Sequence, residues 1–226
     1  IIGSFADALA RGDREGLTVL LAEAAEARRR LAYEELLMLE LFLMREAAAR
    51  TAGRQPVQHV TDGPRVRALA AALPFALTDE QAAARDDVLR EMAAPHAANH
   101  LILGDVGTGK TVVAAFALAA AADSGGQAFL MAPTEVLARQ HAASLGPLFE
   151  AAGVTYGVLT GSTAPAERAA VLERFADGEA DVLIGTHALL EDDVAPANLT
   201  LAVIDEQQRF GVEQRARLWT KNEQPP

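Results

Sequence analysis

The sequence predicts an α/β protein: a mostly parallel sheet with helices on both faces, preceded by a helical segment. Three observations carry this expectation. From residue 101 onward, apolar runs of strand length alternate with helix-length stretches. Before them, residues 18–50 form a run rich in Leu, Ala, Glu and Arg without Gly or Pro. Between the two, Gly53, Pro56, Gly63 and Pro64 mark a connector.

Taken in order, 18–50 reads as one helix, with Leu31, Leu36, Leu39 and Leu43 as an apolar stripe and Glu34, Glu35 and Arg45 outside it. Such a stripe expects a neighbouring domain. Arg28-Arg29-Arg30 reads as a solvated face, with phosphate contact as the alternative. Strands are expected at 101–103, 128–132, 155–159, 182–184 and 201–204, and helices near 111–122, 135–150 and 165–176. Two regions follow: 1–64, helical linker and connector, and 65–226, the α/β domain. In open sheets of this kind ligands lie beyond the carboxyl ends of the strands.

Composition narrows the class. Half of the 226 residues are hydrophobic, enough for a sizeable core, and there is no cysteine for disulfides or thiolate metal sites. No apolar run reaches the ~20 residues that span a bilayer, and no signal peptide opens the chain. A cytoplasmic protein is expected, and the opening Ile1 suggests a piece of something longer. The net charge is −11, and residues 61–226 hold 12 basic against 22 acidic side chains. Phosphate neutralisation by Lys and Arg supplies most non-specific DNA affinity. Any grip of this piece on DNA is therefore expected to be weak. Only Lys110 and Lys221 are lysines, against 18 arginines.

The strongest chemical signal is Gly104-Asp105-Val106-Gly107-Thr108-Gly109-Lys110-Thr111, which fits G-x-x-x-x-G-K-[ST]. The glycines Gly104, Gly107 and Gly109, with Thr108, let backbone N–H groups turn toward phosphate oxygens at a helix N-terminus. Lys110 suits the β- and γ-phosphates of ATP, and the Thr111 hydroxyl suits Mg²⁺. At the end of the apolar run 201–204 stand Asp205 and Glu206. Asp205 can hold the Mg²⁺ shell and Glu206 can activate the attacking water. Thr78-x-x-Gln81 reads as a capping box opening a helix. The Gln81 amide can also read an adenine edge, with Phe75 closing over the base. The two roles are compatible.

These segments together resemble the RecG family of superfamily-two helicases. Asp205-Glu206-Gln207-Gln208-Arg209-Phe210-Gly211-Val212-Glu213-Gln214-Arg215 is similar to its motif II, and Met131-Ala132-Pro133-Thr134-Glu135-Val136-Leu137-Ala138-Arg139-Gln140-His141 to its motif Ia. Gly185-Thr186-His187-Ala188-Leu189-Leu190 and Leu159-Thr160-Gly161-Ser162 resemble two further loops, and 73–81 resembles the adenine motif. Residues 28–43 resemble the linker that follows the wedge domain.

The resemblance implies a RecA-like P-loop fold and an ATP-dependent DNA helicase that remodels forks and junctions in repair and recombination. It implies ATP and Mg²⁺ as cofactors and a nucleoid-associated bacterial setting. It also implies a second RecA-like domain and a wedge domain beyond this chain. DNA contact is implied for Thr134, Arg139, Gly161, Ser162, Thr186 and His187. Thr134 is also a natural N-cap, and His187 also reads as a structural histidine; no second ligand nearby suggests a metal. Arg209-Phe210-Gly211 reads either as a loop relaying DNA contact or as a helix start in which Phe210 packs. One departure stands out: Gln208 occupies a position where the family usually has histidine.

A transcription-repair coupling factor is the nearest alternative, but Pro133-Thr134-Glu135 and Asp205-Glu206-Gln207 fit RecG better. A P-loop phosphotransferase or switch protein without translocation is the alternative of another class; the guanine-reading Asn-Lys-x-Asp box is absent. A non-catalytic interaction domain is disfavoured by the intact Lys110, Thr111, Asp205 and Glu206.

Overall fold

The computed structural model describes residues 7, 9–51, 57–105, 107–211, 214, 217, 218 and 221. Val106, Gly53, Pro56 and, in the motif II segment, Val212, Glu213 and Arg215 lie outside them. The chain divides into two compact units, residues 1–53 and 54–226. The first is dominated by helix α1, Arg14–Thr51, which contains the whole of the expected helical run 18–50, free of Gly and Pro. Arg29 pairs with Glu26 at 3.1 Å and Arg30 with Glu34 at 3.4 Å, so the arginine run is a solvated face stitched along the helix.

The second unit is a parallel sheet between helices. Its elements are α2 (Pro64–Ala72), α3 (Asp79–Ala93), α4 (Lys110–Asp123), β1 (Gln127–Met131), α5 (Glu135–Ala152), β2 (Tyr156–Leu159), α6 (Pro165–Ala176), β3 (Val182–Gly185) and β4 (Leu199–Ile204). Short 3-10 turns follow β3 at His187–Leu190 and β4 at Gln207–Arg209. The strand order is β2-β3-β1-β4, all parallel.

Alternation along β1 builds the two layers. Ala128 and Leu130 join the core shared with Leu69, Met92, Phe116, Leu145 and Phe149 from α2 to α5. Phe129 and Met131 point to the other core, with Phe175 of α6, Leu189 and Phe210. All five β1 residues are buried, as a central parallel strand requires. Phe129 stacks on Phe175 with centroids 5.6 Å apart, and burying one such ring contributes roughly 2–3 kcal/mol. Helices therefore cover both faces, as expected.

Two corrections follow. Residues 101–103 form no strand: Leu101 is 63% and Leu103 83% exposed, and neither pairs with β4. The physical reason is position. The sheet of described strands ends at β4, an edge where Leu201 to Ile204 are themselves only half-buried, and no described strand offers the run a second neighbour. Three residues flanked on one side gain few ladder bonds and little burial, so apolar content alone does not make a strand there. In addition, α2 begins inside the stretch assigned to the connector. Gly63 offers it no side-chain cap. Asp123 supplies one instead, accepting from Arg65 N and Val66 N, each at 3.0 Å. A cap from a residue distant in sequence leaves no local signature.

The connector is tied down by His59 N donating to Met92 O at 2.9 Å and Val60 N donating to Ser124 Oγ at 2.8 Å. On the opposite face Arg168 of α6 bonds Asp193 at 2.8 Å and Glu191 at 2.7 Å; these carboxylates hold its pKa up. No described helix is long and apolar enough to cross a membrane.

Candidate functional site

The phosphate loop leads straight into α4. Gly109, at φ 80°, is its N-cap, and Gly107 has φ 87°. Both lie in the left-handed region where glycine carries no Cβ penalty. Lys110 Nζ donates to the loop's own carbonyls, Gly104 O and Asp105 O, each at 2.7 Å. Thr108 Oγ1 donates to Asp105 O at 2.9 Å. A Cβ on Gly104 would meet Thr108 Oγ1 at 2.9 Å. Thr111 sits half-buried in the first turn of α4, which packs over β1 and β4.

Gln81 reaches this loop from α3. The capping box is complete: Thr78 N donates to Gln81 Oε1 at 3.0 Å and Gln81 N donates to Thr78 Oγ1 at 3.2 Å. The same amide donates through Nε2 to Thr108 O at 2.8 Å. A Cβ on Gly109 would meet that Nε2 at 2.4 Å. The glutamine thus braces the phosphate loop, a role its capping-box spacing did not reveal. Phe75 is 53% exposed.

The carboxylates stand where β4 ends. Asp205 N donates to Met131 O at 2.9 Å, continuing the ladder with β1. His141 Nε2 meets Asp205 Oδ2 at 2.8 Å. Glu206 has φ 51°, the only positive φ outside glycine among the described residues. Such a conformation costs about 1–2 kcal/mol for an L residue, and strain of this kind gathers at functional sites. The Gln208 amide donates to the Glu206 carboxylate. Gln208, singled out above as a departure from the family the motifs resemble, is therefore a group that holds Glu206. Phe210 is buried in the second core, in agreement with the packing reading.

The expected DNA-side residues lie at the ends of β1, β2 and β3. Thr134 caps α5, its Oγ1 accepting from Leu137 N at 3.3 Å. Ser162 N donates to Glu135 Oε1 at 3.1 Å, and Ser162 Oγ bonds the other oxygen of that carboxylate. Arg139 donates to Ser162 Oγ at 3.4 Å. A Cβ on Gly161 would meet Glu135 Oε1 at 3.2 Å. Arg139, Gly161, Ser162 and Glu135 form one cluster next to the Thr134 cap, and Glu135 is the member that carries no motif role in the sequence. Thr186 is 2% exposed, and its hydroxyl has no hydrogen-bond partner. His187 opens the turn after β3 and is exposed.

His141 and Lys221 make contacts that no sequence motif signals. His141 was visible only as the last letter of the motif Ia segment. Lys221 donates to the carbonyls of Glu191 and Val194, and burial pushes its pKa down. Both contacts join residues more than twenty positions apart, which spacing cannot foretell.

Comparison with known proteins defines the class. Residues 78–223, more than half of the chain, match the DEAD/DEAH box helicase family, and the chain belongs to it. Within that class the similarity is to RecG. The chain is 46% identical over 206 residues to the ATP-dependent DNA helicase RecG of Streptococcus pneumoniae, covering 91% of the chain and 30% of that protein. It is 44% identical over 199 residues to the RecG of Bacillus subtilis, covering 88% of the chain and 29% of that protein. A solved structure of RecG bound to a three-way DNA junction has a TM-score of 0.72 and 35% identity, over 84% of this chain and 26% of that one. The resemblance carried by the motifs thus extends over most of the chain, and so does the RecA-like α/β fold. The chain spans about 30% of the length of the RecG relatives it matches.

Proposed function

We propose that this chain is the ATP-binding half of an ATP-dependent DNA helicase motor of RecG type, working on branched DNA in repair and recombination. One observation carries the reading. A phosphate loop at the start of α4, the carboxylates after β4 and a polar cluster after β1 and β2 all belong to one end of a parallel sheet. An ATP site and a backbone-gripping track side by side are what a translocating motor needs.

In this reading the loop N–H groups and the Lys110 ammonium bind the phosphates of ATP, and Lys110 exchanges its loop carbonyls for phosphate oxygens. Gln81 keeps the loop in register and turns its remaining amide capacity toward the base, with Phe75 beside it. Glu206 accepts a proton from the attacking water, and Gln208 orients that carboxylate. The donors suited to Mg²⁺ are hard oxygens: the Thr111 hydroxyl and Asp205, whose Oδ2 is held by His141 while Oδ1 is left for a cation. When bound, Mg²⁺ neutralises charge developing on the phosphates. Thr134, Arg139, Gly161, Ser162 and His187 serve as a sequence-neutral phosphate track, with Thr186 buried beneath it rather than facing DNA. The second RecA-like domain and the wedge would come from the rest of a longer parent chain.

Calorimetry tests the nucleotide site. Mg²⁺-ATP binds the wild-type chain, and Lys110→Ala abolishes the heat of binding; equal affinity overturns the assignment. In the parent-length motor, Glu206→Gln keeps nucleotide binding and lowers DNA-stimulated turnover by ~10²-fold or more. A turnover within a few-fold of wild type would assign the base elsewhere. The chain alone is expected to hydrolyse ATP very slowly in a steady-state ATPase assay, because an arginine finger from a second domain is worth ~10³–10⁵ in rate.

A further inference from the structure

His141 lies on α5 but touches the far side of the nucleotide site. Its Nε2 is 2.8 Å from Asp205 Oδ2, with His141 12% and Asp205 30% exposed at the side chain. A carboxylate oxygen only accepts, so Nε2–H is the donor. Few side chains are placed to do this. β4 delivers Asp205 at the sheet edge, and the carboxylate can rotate about two torsions once the strand has ended. His141 removes that freedom from one oxygen.

Helix geometry explains how α5 reaches Asp205 while also serving the other side of the sheet. Ala138, Leu145 and Phe149 are buried and form the stripe that faces the sheet. At about 100° per residue, Arg139 and His141 project about 160° apart, on opposite flanks of that stripe. One flank, with Glu135 and Arg139, clasps Ser162 beyond β2. The opposite flank presents His141 toward β4, at the other edge of the order β2-β3-β1-β4. The helix is thus pinned at its first turn by one loop and reaches the catalytic strand two residues past Arg139.

We propose that His141 is a positioning residue for Asp205, fixing Oδ2 so that Oδ1 is pre-aimed for the divalent cation that accompanies ATP. The inference rests on the nucleotide-site reading above and adds to it a residue outside the nucleotide-binding motifs. Groups that orient a ligating carboxylate typically change metal affinity by ~10–100-fold when removed.

The test uses the chain as it stands and its His141→Leu and His141→Gln variants. A fluorescent, slowly hydrolysed ATP analogue is held at fixed concentration while Mg²⁺ is titrated. His141→Leu is expected to raise the half-saturating Mg²⁺ concentration ~10-fold. His141→Gln, whose amide can still donate to Asp205, stays within about twofold of wild type. The second readout is ¹⁵N-resolved NMR of the imidazole rings in the same chain. The His141 ring is expected as the Nε2–H form with a slowly exchanging proton that Asp205→Asn perturbs. An unchanged Mg²⁺ requirement in His141→Leu overturns the inference and leaves the nucleotide site standing. Equal weakening in both variants overturns it as well, because loss of the ring's packing would then be the cause. No Mg²⁺-dependent binding by the wild type overturns both readings together.

Discussion

The phosphate loop and the opposite part of the same sheet end are built differently. Between 104 and 111 the polar groups turn on one another: Lys110 and Thr108 bond carbonyls of the same loop, and among the described residues a single distant side chain, Gln81, reaches in. The run that leads into it is exposed at Leu101 and Leu103. At the ends of β1, β2 and β3 the contacts are long-range and stand on strands that are wholly buried in β1 and β3 and half-buried in β2. Glu135 holds Ser162, and β1 passes its ladder on to Asp205. The difference teaches that chemical specificity and mechanical support come from separate sources. Under the proposed function, a loop that wraps a phosphate needs backbone freedom, and a track that transmits force needs a rigid base.

Glycine substitutions separate the two regions most sharply. At Gly185 a Cβ would lie 2.1 Å from the backbone carbonyl of Leu159 on the neighbouring strand, with Leu189 also inside 3.0 Å. Neither strand can retreat without breaking the sheet, so Gly185→Ala is expected to cost about 3 kcal/mol or more. At Gly107 φ is 87° but nothing lies within 4 Å of the added carbon. Gly107→Ala then costs only the conformational penalty of about 1–2 kcal/mol. Gly109→Ala falls between: the same penalty, plus displacement of the Gln81 amide from Thr108. It is also expected to weaken ATP binding, which Gly185→Ala reaches only through unfolding. Denaturant melts and nucleotide titrations of the three variants give the order; equal costs at Gly185 and Gly107 would erase the contrast.

How much of this was legible follows the same division. G-x-x-x-x-G-K-T announces itself by spacing because its chemistry is local, and so does the Thr78-x-x-Gln81 box. Strands 128–132, 155–159, 182–184 and 201–204 were legible within a residue or two at their ends, since alternating or continuous apolar runs are what a buried parallel sheet demands. The run 101–103 carries the same apolar signal, but a strand needs neighbours as well as composition. The His141–Asp205 bond, the Asp123 cap and the Gln81 brace were invisible for a different reason. Each is set by tertiary approach, and no periodicity records which distant residue will arrive.

Burial without a partner gives a smaller effect. His59 is as buried as many core residues, yet neither ring nitrogen has a hydrogen-bond partner. Burial pushes its pKa below the ordinary 6.5, outweighing the contact with Met92 that raises it. On acidification the unfolded chain therefore takes up this proton first. Stability falls as pH drops below about 6.5 and continues to fall until the folded pKa is passed. The slope for one proton is at most ~1.4 kcal/mol per pH unit. Denaturant melts between pH 7.5 and 5 should show it, and His59→Leu should flatten it. A slope unchanged in that variant would move the acid sensitivity to the carboxylate clusters.

The smallest effect is the one that can break the comparison. Leu103 is 83% exposed and unpaired in the segment before the phosphate loop. If that segment stays off the sheet in solution, Leu103→Ser removes almost no buried area and changes stability by no more than about 0.5 kcal/mol. For a chain of this size that is a shift of roughly 1–2 °C in melting temperature. If the segment instead pairs with the open side of β4, Leu103 becomes part of a strand covered on at least one face. Its loss would then cost about 2 kcal/mol or more, on the scale of the core substitutions. Protection of the Ile102 and Leu103 amides from hydrogen exchange would rise in parallel, because a ladder bond and side-chain burial arrive together. A large loss with protected amides would place the phosphate loop on a supported strand and reduce its apparent looseness to the loop alone. A negligible loss with rapid exchange would leave the loop's freedom as a property of its whole approach, held by Gln81 and the first turn of α4.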